Sequence, residues 1–228
     1  MYMPGIVDAR VERWLLSTVP PREGAFAEIE AEAIAQRIPC IGPYEGHVLM
    51  LLATIAGARR ILEVGTATGY SALWLAKAAA ASGGTVTTIE RDPSRAAVAR
   101  ANAARCGFGD ILHVLEGDAF AVLPGITSPF DFAFLDIVSA LEQPSLVERL
   151  FTLSLERLAP GGLLVSDNAL HAGNVAAEVV PEHAQRYVQY NRLAFGHPDL
   201  ETAILPVRDG LAVSRRRAGP LRTGATER

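Results

Sequence analysis

From Arg60 onward the chain alternates short apolar runs with longer amphipathic ones, and this alternation narrows the possible folds more than any other feature. The runs "RILEVG", "TVTTIE", "ILHVLEG", "FDFAFLD" and "GLLVSDN" have the length and the β-branched or aromatic content of buried strands. Between them, segments near 70–81, 93–106, 119–123 and 142–158 carry apolar residues at helical spacing. Strands joined by helical crossovers imply a parallel sheet covered on both faces, because each crossover lays a helix above or below it. A further helix is expected near 176–193, and "ETAILPVRDGLAVSRR" then reads as two strands joined at "RDG", an antiparallel hairpin on one edge. The fold class is therefore α/β, with a doubly wound, mostly parallel sheet of seven strands.

Two helical segments precede this pattern, "EGAFAEIEAEAIAQR" and "PYEGHVLMLLATIAG", the second closed by Gly57. They define an N-terminal helical cap over 1–58 of the same domain, a core over 59–216 and a flexible tail over 217–228, where periodicity is lost. The net charge of -4 is mild and the basic residues are scattered, which argues against nucleic acid as a partner. Cys40 and Cys106 are too few for a disulfide framework or a zinc cluster and suit the reducing cytosol. No basic-then-apolar leader opens the chain, and "VLMLLATIA" is too short to cross a bilayer, so a cytoplasmic protein with no membrane partner is expected.

The first strand runs into "LEVGTATGYS", which places Gly65 and Gly69 on a turn where a bare backbone can approach a ligand. The helix after that turn offers free N–H groups to an anionic group. The second strand ends in Glu90, where a ribose diol would need acceptors. A dinucleotide site would carry a third glycine, but Thr66, Ala67 and Thr68 fill the interval, so the pyrophosphate fingerprint is absent. Asp118 in "GDAF" serves equally as a contact for an adenine edge or as an ordinary helix cap. The fourth strand ends in Asp136 and the fifth in Asp167 and Asn168, three hard oxygen donors at the carboxyl edge, where open parallel sheets bind ligands. They suit Mg²⁺, Ca²⁺ or Mn²⁺, and each taken singly also suits a turn or a cap.

Taken together and in order, "ILEVGTATGYSALWLA", "IERD", "GDAF", "FDFAFLD", "APGGLLVSDNAL" and "RDGLAV" resemble the small metal-dependent O-methyltransferases of the catechol and caffeoyl-CoA type, especially their bacterial branch, over about residues 40 to 215. The resemblance implies a Rossmann-like methyltransferase fold, S-adenosylmethionine as cofactor, a small hydroxylated aromatic substrate and a homodimer. It implies Glu63, Gly65 and Ser71 around the methionine portion of the cofactor, Glu90 on the ribose, Asp118, Ala119 and Phe120 near adenine, and a backbone contact at Ile41. Thr66, Gly69, Tyr70, Arg91 and Asp136 complete the expected cofactor-binding set, and Asp136, Asp167 and Asn168 the expected metal ligands.

The chain departs from the family pattern at one place. Relatives usually follow the metal-binding aspartate with a lysine base, whereas this chain has Ile137, Val138 and Ser139, and its only lysine, Lys77, lies in an alanine-rich helix. His171, three residues beyond Asn168, is the best substitute, since an imidazole titrates near neutrality. Ionisation of the hydroxyl by the metal alone is equally admissible. Two alternatives to the O-methyltransferase reading stand beside it: a methyltransferase-fold protein with another substrate or a metal-independent mechanism, motivated by the absent lysine, and a nicotinamide-dependent oxidoreductase, disfavoured by the missing glycine.

Overall fold

The computed structural model describes residues 7–219. The first six residues of the expected cap and the expected tail beyond 219 lie outside the described residues. All the expected strands form: β1 (Arg60–Val64), β2 (Thr85–Glu90), β3 (Leu112–Glu116), β4 (Phe130–Leu135), β5 (Leu158–Ser166), β6 (Leu200–Leu205) and β7 (Leu211–Arg216). They make one sheet in the order β3-β2-β1-β4-β5-β7-β6. The first five strands pair in parallel, and β7 runs antiparallel between β5 and β6. Helices α1 (Ala9–Thr18), α2 (Ala25–Ala35) and α3 (Pro43–Ile55) precede the sheet. Helices α4 (Tyr70–Ser82), α5 (Pro93–Arg105), α6 (Ala119–Val122), α7 (Pro144–Glu156) and α8 (Glu182–Gly196) alternate with its strands.

Successive side chains of a strand point to opposite faces, and here both faces are buried. Ile61, Phe132 and Phe134 join one core with Phe26 of α2, Leu49 of α3 and Leu73 and Trp74 of α4. Leu62, Val64, Ala133 and Leu135 join the other, with Leu150 of α7 and Tyr190 of α8. A strand covered on both sides has no polar face to show, which is why these strands read as unbroken apolar runs. The chain winds outward from β1 in one direction through β2 and β3, and in the other through β4 and β5. The crevice of such a sheet therefore opens at the carboxyl ends of β1 and β4.

Three boundaries differ from expectation. α1 has no buried residue, so it carried no core periodicity to detect; Asp8 caps it by accepting from the Arg10 N–H. The helix expected from 176 begins at Glu182. Ala172 and Gly173 adopt positive φ within a short 3-10 turn at His171–Ala176, and Pro181 lacks the N–H that would continue a helix through it. β5 starts at Leu158, earlier than "GLLVSDN", and its register against β4 shifts between Phe130 and Phe132. Among the described residues no helix is long and apolar enough to cross a membrane.

The seat of α3 fixes where the cap meets the strand ends. Gly46 lies flat on α4: a Cβ there would fall 2.2 Å from Trp74 Nε1. Trp74 is 3 % exposed and held edge-on by Phe26 at 5.0 Å, so it has nowhere to retreat. Alanine favours a helix over glycine by about 1 kcal/mol, yet the clash outweighs this, and overpacking of such a contact costs about 1–3 kcal/mol. Gly46→Ala is therefore expected to lower the urea midpoint of unfolding. A midpoint at or above that of the parent would show that α3 and α4 have room to separate.

Candidate active site

The main-chain ladders run one residue past the strands. Gly65 N–H donates to Ile89 O (3.1 Å), Gly117 N–H to Glu90 O (2.9 Å), Asp136 N–H to Val64 O (2.9 Å) and Asp167 N–H to Leu135 O (3.0 Å). Parallel pairing thus brings residues 65, 117, 136 and 167 to one edge of the sheet, although they are far apart in the chain. Gly65 has φ +103°, and a Cβ on it would lie 2.7 Å from the Asp136 carbonyl oxygen. Only glycine lets the turn after β1 pass the end of β4 this closely.

Beside that turn Glu63 is fully buried. Thr88 donates to its Oε2 at 2.5 Å and is itself hydrogen-bonded to Thr66, and Ser71 lies close to the carboxyl group. Oε1 has no partner. Burial raises the Glu63 pKa to about 7. A buried carboxyl with one free oxygen beside a glycine turn is suited to a cationic group. Glu90, at the end of β2, accepts from Ala67 N–H at 2.8 Å and from Asp92 N–H at 2.9 Å, one bond to each oxygen. Each oxygen keeps a lone pair for a diol, and the carboxylate also fixes the left-handed turn at Ala67 (φ +48°).

The remaining expected cofactor residues are spread along this crevice. Gly69 (φ +88°) opens α4, and a Cβ on it would press on Ala99 of α5 at 3.2 Å. Tyr70 is buried with its hydroxyl donating to Glu30 at 2.6 Å and its ring beside Phe26. Its side chain thus belongs to the cap, and only its backbone faces the turn. Arg91 is exposed beyond the end of β2. Asp118 caps α6 by accepting from Phe120 N–H at 2.9 Å, Ala119 is buried, and the Phe120 ring lies under the Arg149 guanidinium at 5.2 Å. Ile41 is buried just ahead of α3.

The Leu135–Ser166 pairing of β4 with β5 sets the backbones of Asp136 and Asp167 side by side, with Asn168 next in the chain. Asp167 is 6 % exposed, and its Oδ1 accepts from Asn168 N–H at 2.6 Å. Asn168 has φ +59°, a conformation asparagine tolerates better than most residues, and it turns the chain sharply at the edge. Asp209 of the β6–β7 turn, which accepts from Ala172 N–H, is buried nearby. The Asp136 carboxyl is held well above the usual carboxylate range, first by burial and then by the charges of Asp167 and Glu63. Burial likewise raises Asp167.

Two residues without any signal in the sequence complete this cluster. Glu45, in the first turn of α3, is 1 % exposed and accepts from Arg208 at 2.8 Å. Burial and the nearby Asp167 charge push its carboxyl up. In the sequence Glu45 resembles any acid favoured in a first helical turn, and Arg208 resembles any turn residue in "RDG". No local pattern joins them. Among the described residues no three His, Cys, Asp or Glu side chains converge as a ready-made metal cage. The oxygen set here is two carboxylates and an amide, with Glu45 engaged by Arg208.

Lys77 lies over the rings of Phe26 (4.2 Å) and Trp74 (5.0 Å), occupied within the cap. Val138 is buried, and the Ser139 carbonyl accepts from Arg186 at 2.7 Å, so the stretch after Asp136 offers no base. His171 (φ +43°) stacks on Tyr187 at 4.4 Å, with His183 at 5.1 Å. Burial lowers its pKa.

The O-methyltransferase family model matches residues 26–217. A catechol O-methyltransferase of Mycobacterium tuberculosis is 34% identical over 212 residues, covering 90% of this chain and 94% of the relative. The crystal structure of an O-methyltransferase from Bacillus cereus in complex with SAH superposes with a TM-score of 0.79 at 28% identity, covering 91% of this chain and 97% of that one. TomG from Streptomyces achromogenes, in complex with SAM, gives a TM-score of 0.78 at 27% identity, covering 91% and 96%. The nicotinamide-dependent alternative is set aside by these matches: the chain belongs to the S-adenosylmethionine-dependent O-methyltransferase family.

Proposed function

We propose that this enzyme methylates a hydroxyl of a small catechol-like compound, with a divalent cation held by Asp136, Asp167 and Asn168. The observation that carries the reading is the charge of the sheet edge. Four carboxyl groups, Glu45, Asp167 and Asp209 buried and Asp136 partly so, gather around one buried guanidinium, Arg208, so acid outnumbers base at this edge. Uncompensated charges in such a site are costly, and a divalent cation would offset part of them. The donors are all oxygens, as a hard cation prefers. When bound, such a cation favours ionisation of a coordinated hydroxyl. S-adenosylmethionine supplies the methyl group from its sulfonium, as the SAH- and SAM-bound relatives support.

The chain's own residues bind and align. The free oxygen of Glu63 takes the ammonium of the cofactor's methionine portion, with Ser71, Thr66 and the backbone of Gly65, Gly69 and Tyr70 around it. Glu90 takes the ribose diol beside Arg91. Asp118, Ala119 and Phe120 flank the adenine, and Ile41 and Asp136 close the sulfonium end. Holding a hydroxyl oxygen in line with the methyl carbon is the main source of rate in such a transfer. His171 accepts the hydroxyl proton, replacing the lysine that relatives place after Asp136.

Three measurements test this. Methyl transfer to a panel of catechols is expected with Mg²⁺ and to fall by at least about 100-fold with chelator or in Asp167→Asn. Transfer unaffected by chelator would remove the cation from the reaction and favour a metal-independent mechanism. His171→Phe, which keeps the stack on Tyr187, should lower kcat about 10²–10⁴-fold if the ring is the base; an unchanged kcat would assign ionisation to the cation alone. Glu63 is protonated below its pKa of about 7, and only the carboxylate holds an ammonium. Cofactor affinity should therefore fall about tenfold per pH unit below that point and level off above it. Glu63→Gln should bind weakly with no such slope, and a slope that survives the substitution would assign the titration to another group.

A further inference from the structure

The Arg208–Glu45 contact joins residues 163 positions apart, one at the start of the cap's last helix and one in the turn between β6 and β7. Three features show that it is built. Arg208 occupies the left-handed region (φ +48°), where a residue other than glycine is strained. Its stem packs over the backbone ahead of α3, where a Cβ on Gly42 would meet Arg208 Cδ at 3.4 Å. Its guanidinium side chain is 9% exposed. Glu45 meets Arg208 through one oxygen, while the other, Oε1, is buried without a hydrogen-bond partner. Asp167 lies near the same carboxyl group. Glu45 thus stands between the guanidinium on one side and the aspartate at the end of β5 on the other.

We propose that Glu45 and Arg208 are a positioning pair that tunes the charge of the cation site: Arg208 offsets Glu45, so that the pair adds no net charge beside Asp136 and Asp167. This rests on the cation reading of the proposed function. Charge alone then predicts opposite effects from the two partners. Neutralising Glu45 removes a negative charge while the guanidinium keeps its positive one, which weakens cation binding. Neutralising Arg208 frees Glu45 as a third carboxylate and strengthens it. A pair that merely clamped α3 to the hairpin would show the same sign for both, because either substitution would loosen the same contact.

The test is a calorimetric titration of MgCl₂ into the protein saturated with S-adenosylhomocysteine, at a pH near 8, for the parent, Glu45→Gln, Arg208→Gln and the double variant. No turnover is involved. The expected result is affinity at least about tenfold weaker in Glu45→Gln, at least about tenfold tighter in Arg208→Gln, and within about threefold of the parent in the double variant, where the net charge is restored. Equal weakening in both single variants, or no change in either, would overturn the proposal and leave a clamp. If a single variant fails to fold by circular dichroism, the double variant decides: parental affinity supports the pair, and a loss beyond tenfold overturns it. A parent that binds no Mg²⁺ would defeat the cation reading itself, a result distinct from a parent that binds normally and variants that do not differ.

Discussion

Burial of carboxyl groups at the carboxyl edge of the sheet is the constraint on which the remaining structure depends. Glu45, Glu63 and Asp167 are almost without solvent contact, and Asp136 is partly enclosed beside them. An isolated carboxylate in such a place takes up a proton rather than remain charged, and the raised pKa values of all four result from that. The protein tolerates the arrangement because the sheet beneath it is apolar on both faces and rigidly paired. The energy of two continuous cores is available to hold an edge that would not assemble by itself. The Arg208 guanidinium, buried against Glu45, relieves part of that strain.

The helical cap is part of this arrangement. Gly46 lets α3 settle onto Trp74 of α4, and the close approach fixes the first turn of α3, with Glu45, at the strand ends. A second bridge works alongside it: Arg22 and the Tyr70 hydroxyl both donate to Glu30 of α2, which anchors the residue that opens α4 just past the glycine turn. The loop that contacts the cofactor in the proposed function is thus held from behind by side chains that never reach the cofactor. Loss of that anchoring would act through the position of the turn, an indirect route that binding measurements would register as weaker affinity with little change in the chemistry.

Period and spacing were enough for the architecture. The apolar runs of β1, β4 and β5 are buried on both faces whatever the details of packing, so their pattern carries over directly into a parallel sheet. Gly65, Glu90, Asp136, Asp167 and Asn168 were legible for a related reason: each sits at the end of a recognisable strand, and parallel pairing obliges the ends to meet. Asp118 was legible only as an ambiguity, since an acid that caps a short helix and an acid that faces a ligand occupy the same position in a sequence. The start of α8 was misplaced because positive φ at Ala172 and Gly173 has no signature in residue type strong enough to break an apparent helical period.

The amino-acid sequence by itself determined the fold class, which residues gather at the carboxyl edge of the sheet and the oxygen-rich character of that edge, because these depend on local periodicity and on which residue types end each strand. Only the tertiary structure decided the charge of the site. Glu45 and Arg208 meet across 163 residues through the docking of a cap helix and a hairpin turn, and the side chain of Tyr70 turns away from the crevice because Glu30 of another helix receives it. Contacts of that kind depend on how separate elements pack, and packing acts at distances that no window along the chain can span.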